Sequence, residues 1–136
     1  MEIFRRRLLL IHGCVLTLVA LGNAVVTTHG RITGTGPFGF LQQNPLAWVG
    51  LFQAYLLITI IAILMILGSR DQNPRKWNIV GALAHCPPLV AALSSLDMFS
   101  SMGAGTVVWI PIVFHAVFIC LEGTAAVWPR GQNRER

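Results

Sequence analysis

Four apolar stretches separated by short polar connections dominate the chain: roughly Leu8–Val26, Leu46–Leu67, Trp77–Leu96 and Thr106–Trp128. Each supplies about the 20 apolar residues that a helix needs to cross a hydrocarbon core of roughly 30 Å. The pattern predicts an all-α fold, a four-helix transmembrane bundle that fills residues 1–136 as one integral-membrane domain.

The second stretch is the plainest helix. Pro45 opens it after Asn44, where a missing N–H costs little, and Gly68-Ser69 closes it. Ile58–Leu67 is almost wholly aliphatic, as suits a lipid-facing surface. The connection Ser69–Lys76 turns at Asn73-Pro74, so the second and third helices are expected to be antiparallel neighbours. The third stretch differs in kind. Gly81, Ala82, Ala84, Ala91 and Ala92 make it rich in small residues, which let backbones approach closely in lipid. Pro87-Pro88 is expected to interrupt and kink it, freeing carbonyls near Leu83 and Ala84. Between the first two spans, Gly30, Gly34, Gly36, Pro37 and Gly39 argue against a regular helix across Gly30–Gly39, and the segment reads as an interfacial cap. Asp97–Gly105 reads as a loop, with Asp97 as a helix cap or a solvated charge.

Charge then orients this pattern. Nine of the ten Lys and Arg residues fall on one side of it: Arg5, Arg6, Arg7, Arg70, Arg75, Lys76, Arg130, Arg134 and Arg136. Only Arg31 lies on the other. Short loops are the regime in which positive charge sets topology, so both termini are expected in the cytoplasm, in a bacterial inner membrane or its equivalent. The net charge of +5 therefore reports membrane boundaries and anionic lipid, and no nucleic-acid partner is expected. The first span also has the outline of a signal peptide with Gly22-Asn23-Ala24 as a cleavage site. Its apolar run exceeds the usual core of about 7–15 residues, which favours a retained span. Cys14, Cys86 and Cys120 all fall in spans and read as packed thiols.

Ionisable groups are costly inside a membrane and usually face other helices or a cavity. Here they are His12, His85, His115 and Glu122, with Asn23 as a further polar candidate. Trp77 and Trp128 mark the cytoplasmic boundary, where amphipathic rings prefer to lie. Counted inward from it at about 1.5 Å per residue, His12 lies ~6 Å deep, Glu122 ~9 Å, His85 ~12 Å and His115 ~20 Å. His115 and Glu122 are two turns apart on one face, as His12 and Asn23 are three turns apart. The expected pair is Glu122 with His85 or His12. Haem between His85 and His115 would require imidazoles at matching depth, which a difference of ~8 Å opposes. A metal held by His85, Cys86 and a partner such as Cys120 or Glu122 is weaker, because adjacent side chains point about 100° apart on a helix. No nucleophile–base arrangement is evident.

The stretch Tyr55–Cys86, with its long aliphatic helix, the hairpin Leu-Gly-Ser-Arg-Asp-Gln-Asn-Pro-Arg-Lys and then Ala-His, resembles an uncharacterised group of small bacterial four-helix membrane proteins. The resemblance covers about a quarter of the chain and implies the four-helix layout alone; Cys86-Pro87-Pro88 departs from it. The leading expectation for function is an accessory or assembly subunit of a larger membrane complex, with a membrane-protein partner or a homo-oligomer. The alternatives are an intramembrane binder of haem, quinone or lipid, and a small isomerase or cyclase using Glu122 and a histidine.

Overall fold

A computed structural model describes residues 1–101, 105–106 and 108–129. The basic residues Arg130, Arg134 and Arg136 lie outside the described residues, as do positions 102–104 and 107 within the expected loop and the start of the fourth span. The described residues are helical with no strand: α1 (Glu2–Thr33), a 3₁₀ turn (Gly39–Gln42), α2 (Pro45–Gly68), α3 (Pro74–Ser94), α4 (Leu96–Ser101) and α5 (Trp109–Val127). α1, α2, α3 and α5 are each long and apolar enough to cross a membrane. This is the architecture of a multi-pass integral membrane protein.

The chain divides into two compact units, Leu10–Leu67 and the combination of Met1–Leu9 with Gly68–Arg136. In the first, α1 meets α2 at Gly13, where a Cβ would stand 2.7 Å from the Ala62 carbonyl oxygen and 2.7 Å from Ile66 Cγ1. Only a hydrogen fits there, so glycine sets how closely these two backbones approach. α1 continues past the expected end at Val26 to Thr33, so the first part of the glycine-rich segment is helical after all. Two threonines explain this: Thr27 Oγ1 donates to the Asn23 carbonyl at 2.7 Å and Thr33 Oγ1 to the His29 carbonyl at 2.9 Å. Such back-bonding absorbs hydroxyls that would otherwise compete with the helix. The stop comes at Gly34, whose φ of +69° is cheap for glycine alone.

In the second unit, α3 packs along α5. α3 runs unbroken through Pro87-Pro88, contrary to the expected interruption. The locked φ of proline is itself a helical value, so two lost N–H donors do not end the helix. The expected loop after α3 holds the short helix α4, with Asp97 in its first turn, where a carboxylate complements the helix dipole. α5 begins at Trp109, with Pro111 in the first turn, where a missing N–H costs least.

Candidate functional site

α3 and α5 are joined by two polar pairs in one antiparallel register. Asn78 Nδ2 donates to Glu122 Oε2 at 2.6 Å, and both residues are 0% exposed. Farther along, His85 Nδ1 and His115 Nδ1 are 2.6 Å apart, and His85 is 2% exposed. Seven residues up α3 correspond to seven residues down α5. The pairs therefore occupy one face of each helix, two turns or about 10 Å apart.

This register corrects the depth estimate that set His85 and His115 ~8 Å apart. That estimate placed Trp77 and Trp128 at the same level. With Asn78 opposite Glu122, Trp77 is level with Gly123, and α5 reaches about five residues, or ~7.5 Å, beyond it. Asn78, a residue the sequence pattern did not mark, is one partner of Glu122.

The overhanging end of α5 is held by two arginines. Arg5, 2% exposed, donates through Nε to the Ala125 carbonyl at 2.6 Å and through its terminal nitrogen to the Trp128 carbonyl. Arg75 Nε donates to the Ala126 carbonyl at 2.6 Å. The last carbonyls of a helix have no partner within it and carry partial negative charge, so guanidinium groups satisfy them twice over. Charge patterning alone marks these arginines only as topology signals.

Outside the spans, Asp71 organises the hairpin before α3. It accepts from the Asn73 N–H at 2.9 Å, from Trp77 Nε1 at 2.9 Å and from Lys76 Nζ at 2.7 Å. The Asn73 amide first, then Lys76 and Trp77, hold its carboxyl well below the usual carboxylate range.

The imidazole pair is the part of this arrangement that can both donate and accept a proton. In a neutral imidazole one nitrogen donates and the other accepts, so one Nδ1–H of the pair points at the other Nδ1 lone pair. Two phenylalanines of α5 fix the His85 ring: Phe118 stacks on it at 5.4 Å with an interplanar angle of 15°, and Phe114 meets it edge-on at 5.8 Å. His115 is half-buried, and its Nε2 has no partner among the described residues. Phe114 and Phe118 also line an open apolar groove of about 590 Å³, with Trp109, Ile110, Val113 and Val117.

The pair does not fit axial ligation of a haem lying between its facing nitrogens. Two metal–imidazole bonds of about 2 Å would hold those nitrogens ~4 Å apart, against the 2.6 Å observed. Cys86 donates its thiol to the Ala82 carbonyl at 3.5 Å, and Cys120 is exposed, as is Cys14. Among the described residues no three His, Cys, Asp or Glu side chains gather in a metal-binding cluster. His12 is fully buried on α1, and Asn23 spends its amide on the Val19 carbonyl at 2.8 Å. No family model, curated protein or solved structure matches the chain. Function must be argued from geometry.

Proposed function

We propose that this protein binds a lipid-soluble ligand inside the membrane, a molecule with a flat or flexible apolar body and a hydrogen-bonding head, such as a quinone or a lipid. One observation carries the reading: His115 is fixed through Nδ1 to a buried histidine and keeps Nε2 open, beside phenylalanines that line an apolar groove. The groove volume of about 590 Å³ is in the range of small-molecule sites, which combine apolar walls with one or two fixed polar groups. In this reading the ligand body lies along Val113, Phe114, Val117 and Phe118, and its head reaches past this apolar lining to His115 on the same helix. Because the pair can exchange donor and acceptor roles by tautomer, it serves a carbonyl or a hydroxyl head equally. We infer from the positive charge on one side that both termini lie in the cytoplasm.

The same groove favours a second reading. Its lining comes from one helix and is open, so a side chain from a partner helix fits it too, as an accessory subunit of a larger complex would require. Lipid extraction and mass spectrometry on protein purified from its native membrane in mild detergent separate the two. Binding predicts a stoichiometric small molecule that His115→Leu reduces about tenfold, the loss of one strong hydrogen bond, at unchanged helical content and yield. No retained molecule, with reproducible partner polypeptides in a particle far above 14.9 kDa, overturns binding in favour of the subunit.

A further inference from the structure

The unit Leu10–Leu67 holds a second, separate feature at the far ends of its helices. It contains no Asp or Glu and a single Lys or Arg, Arg31. Arg31 stands in the last turn of α1 and donates one N–H to the Gln42 carbonyl at 3.2 Å. A guanidinium has five N–H groups in a fixed fork, so most of its capacity is unspent, and no carboxylate in this unit balances its charge.

Beside it lies a cavity of about 470 Å³ lined by Thr28, Arg31, Ile32 and Trp48. Trp48 is in the first turn of α2, and its ring stacks on Phe52 at 5.3 Å, which holds it at the cavity wall. Its Nε1 is buried and has no acceptor among the described residues. A buried donor left unpaired is costly, and the cost disappears when an acceptor arrives. The Thr28 hydroxyl is half-buried and likewise has no partner among the described residues. A cation that no carboxylate of this unit balances and an open hydroxyl line one cavity, and an orphaned indole N–H lies buried in its wall; all three are satisfied by the same thing, an anionic oxygen acceptor.

We propose that Arg31, Trp48 and Thr28 form a binding site for an anionic phosphate ester. The guanidinium fork matches two phosphate oxygens, which a carboxylate-free neighbourhood leaves uncontested. The indole N–H and the hydroxyl take the remaining oxygens. Tryptophan and arginine at a helix end stand where the apolar core gives way to headgroups, so a membrane phosphodiester and a soluble phosphate ester both reach the site.

The test uses the full-length protein, delipidated in mild detergent and followed by native mass spectrometry. It is titrated with dioleoylphosphatidylglycerol, with dioleoylglycerol as the uncharged control and glycerol phosphate as a soluble competitor. The wild type should retain the phospholipid well beyond the diacylglycerol. Arg31→Gln should weaken that retention about tenfold or more and Trp48→Phe, which keeps the ring on Phe52, about threefold; neither should change diacylglycerol binding. Competition by glycerol phosphate at equal concentration assigns the site to soluble esters, and its failure to compete assigns it to lipid. If the wild type prefers neither the phospholipid nor glycerol phosphate over the control, or if both variants match the wild type, the proposal is wrong. Should Arg31→Gln fail to fold, Trp48→Phe and the lipid-class comparison in the wild type decide it.

Discussion

α2 and the α3–α5 pair are built for the same solvent by opposite means. α2 is 24 residues without a single ionisable group other than Tyr55, and its leucines and isoleucines are largely exposed, Leu57 at 61%. Apolar surface turned outward needs only lipid, so its side chains are interchangeable and the helix is placed by shape at Gly13, Ala62 and Ile66. α3 and α5 bury an amide, a carboxyl and two imidazoles on facing surfaces. Polar groups there depend on particular partners, because an unmatched one in low dielectric is costly, and of the buried atoms in this set only Asn78 Oδ1 lacks a partner among the described residues. The first region therefore tolerates changes of chemistry and resists changes of volume, and the second does the reverse.

Volume in the first region gives the largest expected effect. Gly13→Leu adds four carbons where even a Cβ would meet the Ala62 carbonyl oxygen at 2.7 Å. A cost of about 3 kcal/mol, the upper end of the usual penalty for overpacking, should appear as a large fall in thermal midpoint in detergent or as lost folded yield. A variant as stable as the wild type would show that α1 and α2 do not approach closely at Gly13.

Matching in the second region comes next. Asn78→Leu removes the donor to the Glu122 carboxyl and should cost about 2 kcal/mol. Glu122→Gln preserves a hydrogen-bonding pair and should cost about 0.6 kcal/mol or less, the average for a hydrogen bond between membrane helices. Combining Asn78→Leu with Glu122→Gln measures the coupling of the pair and should cost less than the sum of the two single losses. Thermal unfolding of the four proteins checks this. Equal losses for Asn78→Leu and Glu122→Gln would break the contrast between the two regions.

How far each region could be read in advance follows from the same difference. Long apolar runs announce themselves, so the existence of α1, α2, α3 and α5 was legible, as was the two-turn spacing of His115 and Glu122. Asn78 opposite Glu122 and His85 opposite His115 were not, because pairing depends on the offset between helices, which no single helix encodes. The signal was nevertheless present. Asn78 and His85 repeat the seven-residue spacing of His115 and Glu122, so an antiparallel match brings both pairs together at once. Equating Trp77 with Trp128 concealed that match, since α5 overhangs and its end is satisfied by Arg5 and Arg75. The helical extension of α1 to Thr33 was missed for a different reason: the glycine count outweighed hydroxyl back-bonding by Thr27 and Thr33.

The exposed face of α2 supplies the contrasting near-zero. Leu57→Ile exchanges one apolar surface for another of equal volume and should stay within about 0.5 kcal/mol of the wild type in the same unfolding measurement. A loss above 1 kcal/mol would mean that something packs specifically on that face, which would strengthen the accessory-subunit reading.

The hairpin joining the two regions gives the smallest effect at ordinary pH, and the sign of its titration says why. The Asn73 amide, Lys76 and Trp77 depress the Asp71 carboxyl in the folded protein relative to its unfolded value of about 4. A depressed folded value means that the contribution is complete above the unfolded value and is lost only as pH falls through the folded one. The Trp77 indole N–H, which donates to Asp71 Oδ2 at 2.9 Å, reports this directly. Its proton resonance should stay fixed from about pH 7 to about pH 5 and move only in strong acid, while Asp71→Asn shifts it at every pH. Movement centred near pH 4 would mean an Asp71 with ordinary acidity, and the hairpin would then be held by Pro74 and the helices on either side rather than by this carboxylate.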